Sequence, residues 1–202
     1  MGDGWDSRCG AMEQGFGIPM SDPHTVREVL FDDGAVGEFV GRLAESIDAA
    51  DRSRDGVVLL GIQTGGIHLA NRLAAELSRR WSKRVPVGRL DINMHRDDLA
   101  RQFAPPVHPT EIPCDLAGKT VVLVDDVLFS GRTARAALEA LNDLGRPDKV
   151  QLAVLVDRGH RQLPIQADFV GRQIATGAGD RVNVVVDADG LAKVILEKAD
   201  GQ

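Results

Sequence analysis

From residue 35 onward, apolar positions follow two alternating rhythms. Over 35–50, Val36, Phe39, Val40, Leu43 and Ile47 share one face of a 3.6-residue period, which predicts a helix. The run Val57-Val58-Leu59-Leu60-Gly61 is short, continuous and apolar, as expected of a strand buried on both faces. After the turn Gln63-Thr64-Gly65-Gly66, a second helical pattern carries Ile67, Ala70, Leu73, Ala74 and Leu77. A strand is expected over 85–92. The unit then repeats, with a strand over 120–124, a turn over 125–131, and a helix through Ala134, Ala137, Leu138 and Leu141 that stops at Gly145 and Pro147. A further strand is expected over 151–156. In the tail, Val182, Val184 and Val186 are followed by Val194, Ile195 and Leu196, which predicts a β-hairpin turning at Asp187-Ala188-Asp189-Gly190.

Strands alternating with helices predict an α/β fold with a mainly parallel, twisted sheet flanked by helices. Ligands of such sheets collect beyond the carboxyl ends of the strands, so the loops after Leu60, Val124 and Val156 are expected to face one site. Two stretches break the rhythm. Residues 1–22, rich in glycine and short polar side chains, read as a disordered extension, leaving 23–202 as the folded domain. The polar, proline-bearing segment 93–113 is too long for an ordinary connector and reads as a lid or arm.

Composition narrows the function classes. The 202 residues suit one domain, and Cys9 and Cys114 lie far apart with no clustered histidine, which indicates neither a disulfide framework nor a zinc site. No signal-peptide pattern or membrane-length apolar run is present, so a cytoplasmic protein is expected. The formal net charge of -6 repels nucleic acid at long range, and RNA binding would need a local basic patch.

The chemistry concentrates where Val121-Val122-Leu123-Val124 runs into Asp125-Asp126-Val127-Leu128-Phe129-Ser130-Gly131-Arg132-Thr133. Turn and first-helical-turn N–H groups converge where the helix dipole favours an anion, and the Ser130 and Thr133 hydroxyls add donors. Asp125 and Asp126 can accept from vicinal ribose hydroxyls or hold the water shell of Mg2+. Phosphate and sugar are thus read by adjoining residues. Gly118-Lys119-Thr120 is no P-loop, because Pro113 stands where the motif needs glycine and the tripeptide precedes its strand. No Gly-x-Gly-x-x-Gly follows a strand.

This block resembles the motif that binds 5-phosphoribosyl-1-pyrophosphate (PRPP) in type I phosphoribosyltransferases. Further strings extend the likeness: Gly61-Ile62-Gln63-Thr64-Gly65-Gly66-Ile67, Leu90-Asp91-Ile92, Arg96-Asp97-Asp98-Leu99, Leu144-Gly145-Arg146-Pro147 and Val156-Asp157-Arg158-Gly159-His160-Arg161. Together they are similar to the bacterial pyrimidine operon attenuation regulators, which are also uracil phosphoribosyltransferases. The resemblance implies a type I phosphoribosyltransferase fold with a small hood. It also implies transfer of phosphoribose from PRPP to uracil, yielding UMP and pyrophosphate, with Mg2+ held by Asp125 and Asp126 through water. Matching positions place pyrophosphate at Thr64 and Gly65, ribose 5′-phosphate along 125–133, and the nucleobase at Val156, Asp157 and Arg158. Arg96, on the long loop, would close over the site beside the acid pair. The same likeness implies a homo-oligomer and a possible partner in pyrimidine-operon mRNA, with Arg158, His160, Arg161 and Arg172 as candidate contacts.

Two departures follow. The family usually has an arginine after the threonine of the pyrophosphate turn, and here that place is Gly65, which removes one cation from a polyanion site. Members that bind mRNA carry basic residues on their first helix, whereas 26–50 sets Arg27 and Arg42 against Glu28, Asp32, Asp33, Glu38, Glu45 and Asp48. The alternatives are therefore a nucleotide-sensing regulator with weak catalysis, or a purine phosphoribosyltransferase, since the phosphoribose motif does not select the base. Arg79, Arg80, Lys83 and Arg84 read as a solvated helix end and His95 as loop variation.

Overall fold

The structure, a computed structural model, describes residues 26–52, 54–95 and 109–198. Eight strands and three helices are described: β1 (Val26–Phe31), α1 (Asp33–Ala50), β2 (Val57–Ile62), α2 (Gly65–Trp81), β3 (Val87–Leu90), β4 (Thr120–Leu128), α3 (Arg132–Leu144), β5 (Lys149–Asp157), β6 (Phe169–Gln173), β7 (Arg181–Val186) and β8 (Ala192–Lys198). The expected extension over 1–22 lies outside the described residues, as does Arg96 with most of the long loop.

Five strands form a wholly parallel sheet in the order β3-β2-β4-β5-β6. Alternation along the strands sorts side chains to opposite faces. Val57, Leu59, Val122, Val124, Ala153 and Leu155 pack with α1 and α2, while Val58, Leu60, Val121, Leu123, Leu152 and Val154 pack with α3. That double cover explains why every residue of β2 is buried and why its sequence shows no period of two. The second sheet is the hood, antiparallel β1-β8-β7. Its hairpin turns where expected, at 187–190, and Asp187 Oδ1 accepts from the Asp189 and Leu191 N–H groups.

α1 begins with Asp32 accepting from Ala35 N–H at 2.9 Å, a side-chain N-cap. Val36, Phe39, Val40, Leu43, Ala44 and Ile47 are its buried face, as the period predicts. Asp33, next to the cap, fastens core to hood: its Oδ1 accepts from Ala192 N–H at 2.9 Å and pairs with Arg72 at 2.6 Å.

Several boundaries differ from expectation. β4 runs on through Leu128, so Asp125 and Asp126 lie in the strand and not in the turn; pairing of Asp125 with Val154 and Val127 with Val156 keeps them extended. Gly65 and Gly66 open α2 instead of belonging to the turn. β3 is shorter than 85–92, and β1 and β6 were not expected at all. The end of the long segment returns to the sheet edge, where Glu111 exchanges backbone hydrogen bonds with Arg89 at 2.9 and 3.0 Å. The basic helix end is largely spent on carboxylates: Arg79 and Arg80 reach Glu76, Arg80 also Glu45, and Lys83 pairs with Asp55. His95 stands 3.8 Å from Asp143.

Candidate functional site

Because β2, β4 and β5 are parallel neighbours, the loops after them open at one end of the sheet. Thr64 lies between β2 and α2, Gly65 opens α2, Asp125 to Leu128 end β4, Phe129 to Gly131 form the loop into α3, and Val156 and Asp157 end β5. Both helices that begin here, α2 and α3, lack the side-chain N-cap that α1 has. Apart from Arg132 N–H, which donates to Ser130 Oγ at 3.4 Å, their first-turn N–H groups meet no capping side chain and can face an anion. Gly131 has φ 91° and starts α3 in a conformation that side chains resist.

The acid pair is tightly constrained. Asp125, 7% exposed, accepts from Asp126 N–H at 3.0 Å, and Asp126 accepts from Val127 N–H at 2.8 Å. Burial pushes the Asp126 carboxyl above its ordinary range, against the Val127 N–H and Asp125 hydrogen bonds that lower it. Across from it, a Cβ built on Gly65 would lie 1.9 Å from Asp126 Oδ2, and one on Gly66 2.1 Å from Val124 O. The Thr64-Gly66 segment presses directly on the end of β4, and at Gly66, where the neighbours are backbone atoms, a side chain would have to displace them. The Gln63-Thr64 peptide is cis.

A cavity of about 420 Å³ opens between this turn, Asp126 and the hood, with Thr64, Gly65, His68 and Asp126 on one side and Val184 and Ala192 on the other. Its size suits a small-molecule site. Two side-chain nitrogens flanking the turn, Gln63 Nε2 and His68 Nε2, are shut off from solvent and meet no hydrogen-bond partner. Gln63 stands in the sequence only as part of the turn string, and His68 carries no signal there. Among the described residues no cluster of three or more His, Cys, Asp or Glu could hold a metal ion. The two carboxylates fit Mg2+ only if water and ligand oxygens complete the shell, which is how Mg2+ is commonly bound.

Not every expected site residue presents its side chain. Leu128 is 2% exposed and Val127 packs on the core, so both could serve a ligand only through backbone. Arg132 bonds Gln162 Oε1 at 3.1 Å. Arg158 is buried, and Arg161 donates to the carbonyls of Phe129, Gly159 and Ile165 and to Asp157 Oδ2. Of the four candidate mRNA contacts, Arg172 is exposed, His160 is exposed with its Nε2 2.8 Å from Thr176 O, and Arg158 and Arg161 are engaged inside the chain.

Comparison with known proteins agrees with this geometry. The phosphoribosyl transferase domain family matches residues 28–187. The bifunctional protein PyrR of Chloroflexus aurantiacus is 53% identical over 157 residues, covering 77% of this chain and 86% of that protein. That of Geobacter sulfurreducens is 50% identical over 173 residues, covering 84% and 97%. Among solved structures, a hypoxanthine phosphoribosyltransferase of Trypanosoma cruzi superposes with a TM-score of 0.65 over 89% of this chain and 95% of its own, at 17% identity, a likeness of fold alone. No helix among the described residues is long and apolar enough to cross a membrane. The domain match and the 50–53% identity to these relatives show that the chain belongs to the phosphoribosyltransferase domain family, among the relatives of the bifunctional PyrR proteins.

Proposed function

We propose that this protein transfers the phosphoribosyl group of PRPP to uracil, forming UMP and releasing pyrophosphate. The bond from the ribose anomeric carbon to pyrophosphate oxygen breaks, a bond to uracil N1 forms, and the N1 proton leaves. The carrying observation is the convergence of the Thr64-Gly65 turn and Asp126 on one cavity, beside the loop that opens α3. In this reading Asp125 and Asp126 hold the ribose hydroxyls, the loop amides from 129 to 133 hold the 5′-phosphate, and the turn at Thr64 and Gly65 takes the pyrophosphate. Val156, Asp157 and the backbone of Arg158 lie along the base, since the Arg158 guanidinium is taken by Thr176, Gly177 and Asp180, and Arg96 closes from the long loop. The positive charge that develops on the ribose is stabilised by placement and electrostatics more than by proton transfer. Mg2+, held through water by the acid pair, would neutralise the departing pyrophosphate. Uracil as acceptor and a homo-oligomer rest on the resemblance carried by residues 61–161, and a cytoplasmic setting on the sequence pattern.

Gly65 motivates a second reading, a regulator that binds PRPP and uridine nucleotides but turns over slowly. It presents no cation to pyrophosphate, and its Cα packs on Asp126. For mRNA binding, the acidic balance of α1 and the internal bonds of Arg158 and Arg161 leave His160 and Arg172 as the contacts to test first. The discriminating experiment measures UMP formation from PRPP, uracil and Mg2+, with hypoxanthine as competing acceptor. UMP formation lost in Asp126→Asn supports the enzyme; PRPP and UMP binding without product supports the regulator; inosine monophosphate in place of UMP refutes uracil specificity.

A further inference from the structure

Phe129 stands at the centre of the loop between β4 and α3, and two arginines grip it from different directions. Arg158 lays its guanidinium 4.3 Å from the Phe129 ring centroid, while His160 meets the same ring edge-on at 6.0 Å. Arg161 donates to the Phe129 carbonyl at 2.8 Å. The segment bearing these side chains also bonds the loop through its backbone: Arg158 N–H donates to Leu128 O, and the Gln162 and Leu163 N–H groups donate to Ser130 O.

Arg158 is the unusual member. It is 5% exposed, and its fork is filled by neutral oxygens of the 174–180 connection into the hood: Thr176 Oγ1 at 3.0 Å, Gly177 O at 2.8 Å and Asp180 O at 2.7 Å. Burial lowers its pKa from the ordinary value while the charge of Asp180 opposes. A cation taken out of water costs free energy unless its contacts offset the loss. Here the offset comes from three acceptors and the face of Phe129, the geometry of a desolvated cation–π contact.

Resting on the reading above, we infer that Arg158 is a positioning residue for the phosphate-binding loop, acting through the Phe129 ring and referenced to the 174–180 connection of the hood. Its side chain fixes where the amides of residues 129 to 133 point, so it governs affinity for the phosphate end of PRPP. The acceptor base meets other groups and is indifferent to it.

The test is a double-mutant cycle in the full chain with Arg158→Lys and Phe129→Leu, reading the PRPP dissociation constant by calorimetry and the KM of PRPP and uracil by UMP formation. Each single variant is expected to weaken PRPP about tenfold, the range of a desolvated cation–π contact, with the uracil KM unchanged. The double variant loses no more than either single one, because both remove the same contact. Phe129→Tyr, which keeps the ring face, retains wild-type affinity. Losses that multiply in the double variant, a parallel rise in the uracil KM, or undiminished PRPP affinity would overturn the inference. A wild type that binds PRPP without making UMP refutes only the catalytic reading, and the calorimetric cycle still decides this one. A wild type that binds no PRPP refutes both.

Discussion

Gly66→Ala tests whether the contact between the start of α2 and the end of β4 is as tight as the geometry demands. The added Cβ would lie 2.1 Å from Val124 O, 3.1 Å from Val124 C and 3.2 Å from Asp125 Cα, all backbone atoms that no rotamer change can move. Clearing the carbonyl oxygen requires the start of α2 to retreat by about 1 Å, against the packing of Leu69, Leu73 and Leu77 on the sheet. Overpacking of this kind costs about 1–3 kcal/mol, a fall of roughly 2–12 °C in Tm for a domain of this size. The same shift draws Thr64 and Gly65 away from Asp126, and misplacement by about 1 Å costs on the order of 100-fold in rate. Gly41→Ala is the control: it lies on α1 with nothing within 4 Å of the added carbon, and relief of the helical glycine penalty should stabilise by about 0.5–1 kcal/mol. Thermal unfolding of the three proteins, followed by UMP formation and PRPP calorimetry, gives the comparison. A Gly66→Ala protein as stable and as active as the wild type would refute the close approach and the clamp geometry built on it.

Asp126→Asn should abolish UMP formation yet raise stability near neutral pH. Burial raises this carboxyl above the ordinary 3.8, so the wild type keeps its full stability below 3.8 and loses it as pH rises through the folded value. The variant's denaturation midpoint should vary less over that window; a midpoint below wild type at pH 7 would contradict the burial argument. Asp33→Ala should work in the opposite direction. The hydrogen bond from Ala192 N–H, and then Arg72, hold this carboxyl below its ordinary range, so its contribution is present above 3.8 and fades as pH falls through the folded value. At 30% side-chain exposure the loss should be about 1 kcal/mol at pH 7 and smaller in acid, with faster amide exchange in β8. Equal amide protection of β8 in both proteins would show that Asp33 does not fasten the hood.

Much of the sheet and its ligand-bearing end was legible because buried parallel strands leave continuous apolar runs and helices leave a 3.6-residue stripe. β2, β4 and β5 appear that way, as do the faces of α1, α2 and α3. The hidden parts share a cause: their conformation depends on distant chain. β1 shows no clean alternation and becomes a strand by pairing with β8 at the other end of the sequence. β6 carries Gly171, which reads as a breaker but lets the strand approach Leu155 O, where an added Cβ would come within 2.7 Å. Asp125 and Asp126 are poor strand formers by type and are extended by the ladder to β5. Gly65 and Gly66 read as a turn because tight contact with another strand leaves no local signal.

The arginines after β5 show the same limit at the level of chemistry. Their residue types pointed to an anion, and both RNA phosphate and a nucleobase were fair readings of a basic string next to a ligand loop. A guanidinium fork, however, is matched as well by carbonyl oxygens and an aromatic face as by phosphate. Which partner it meets depends on whether the chain returns to it. Here residues 176, 177 and 180 return to Arg158 and residues 129 and 165 to Arg161, filling positions that a ligand would otherwise take. The charge is then spent on shape, in holding the loop between β4 and α3.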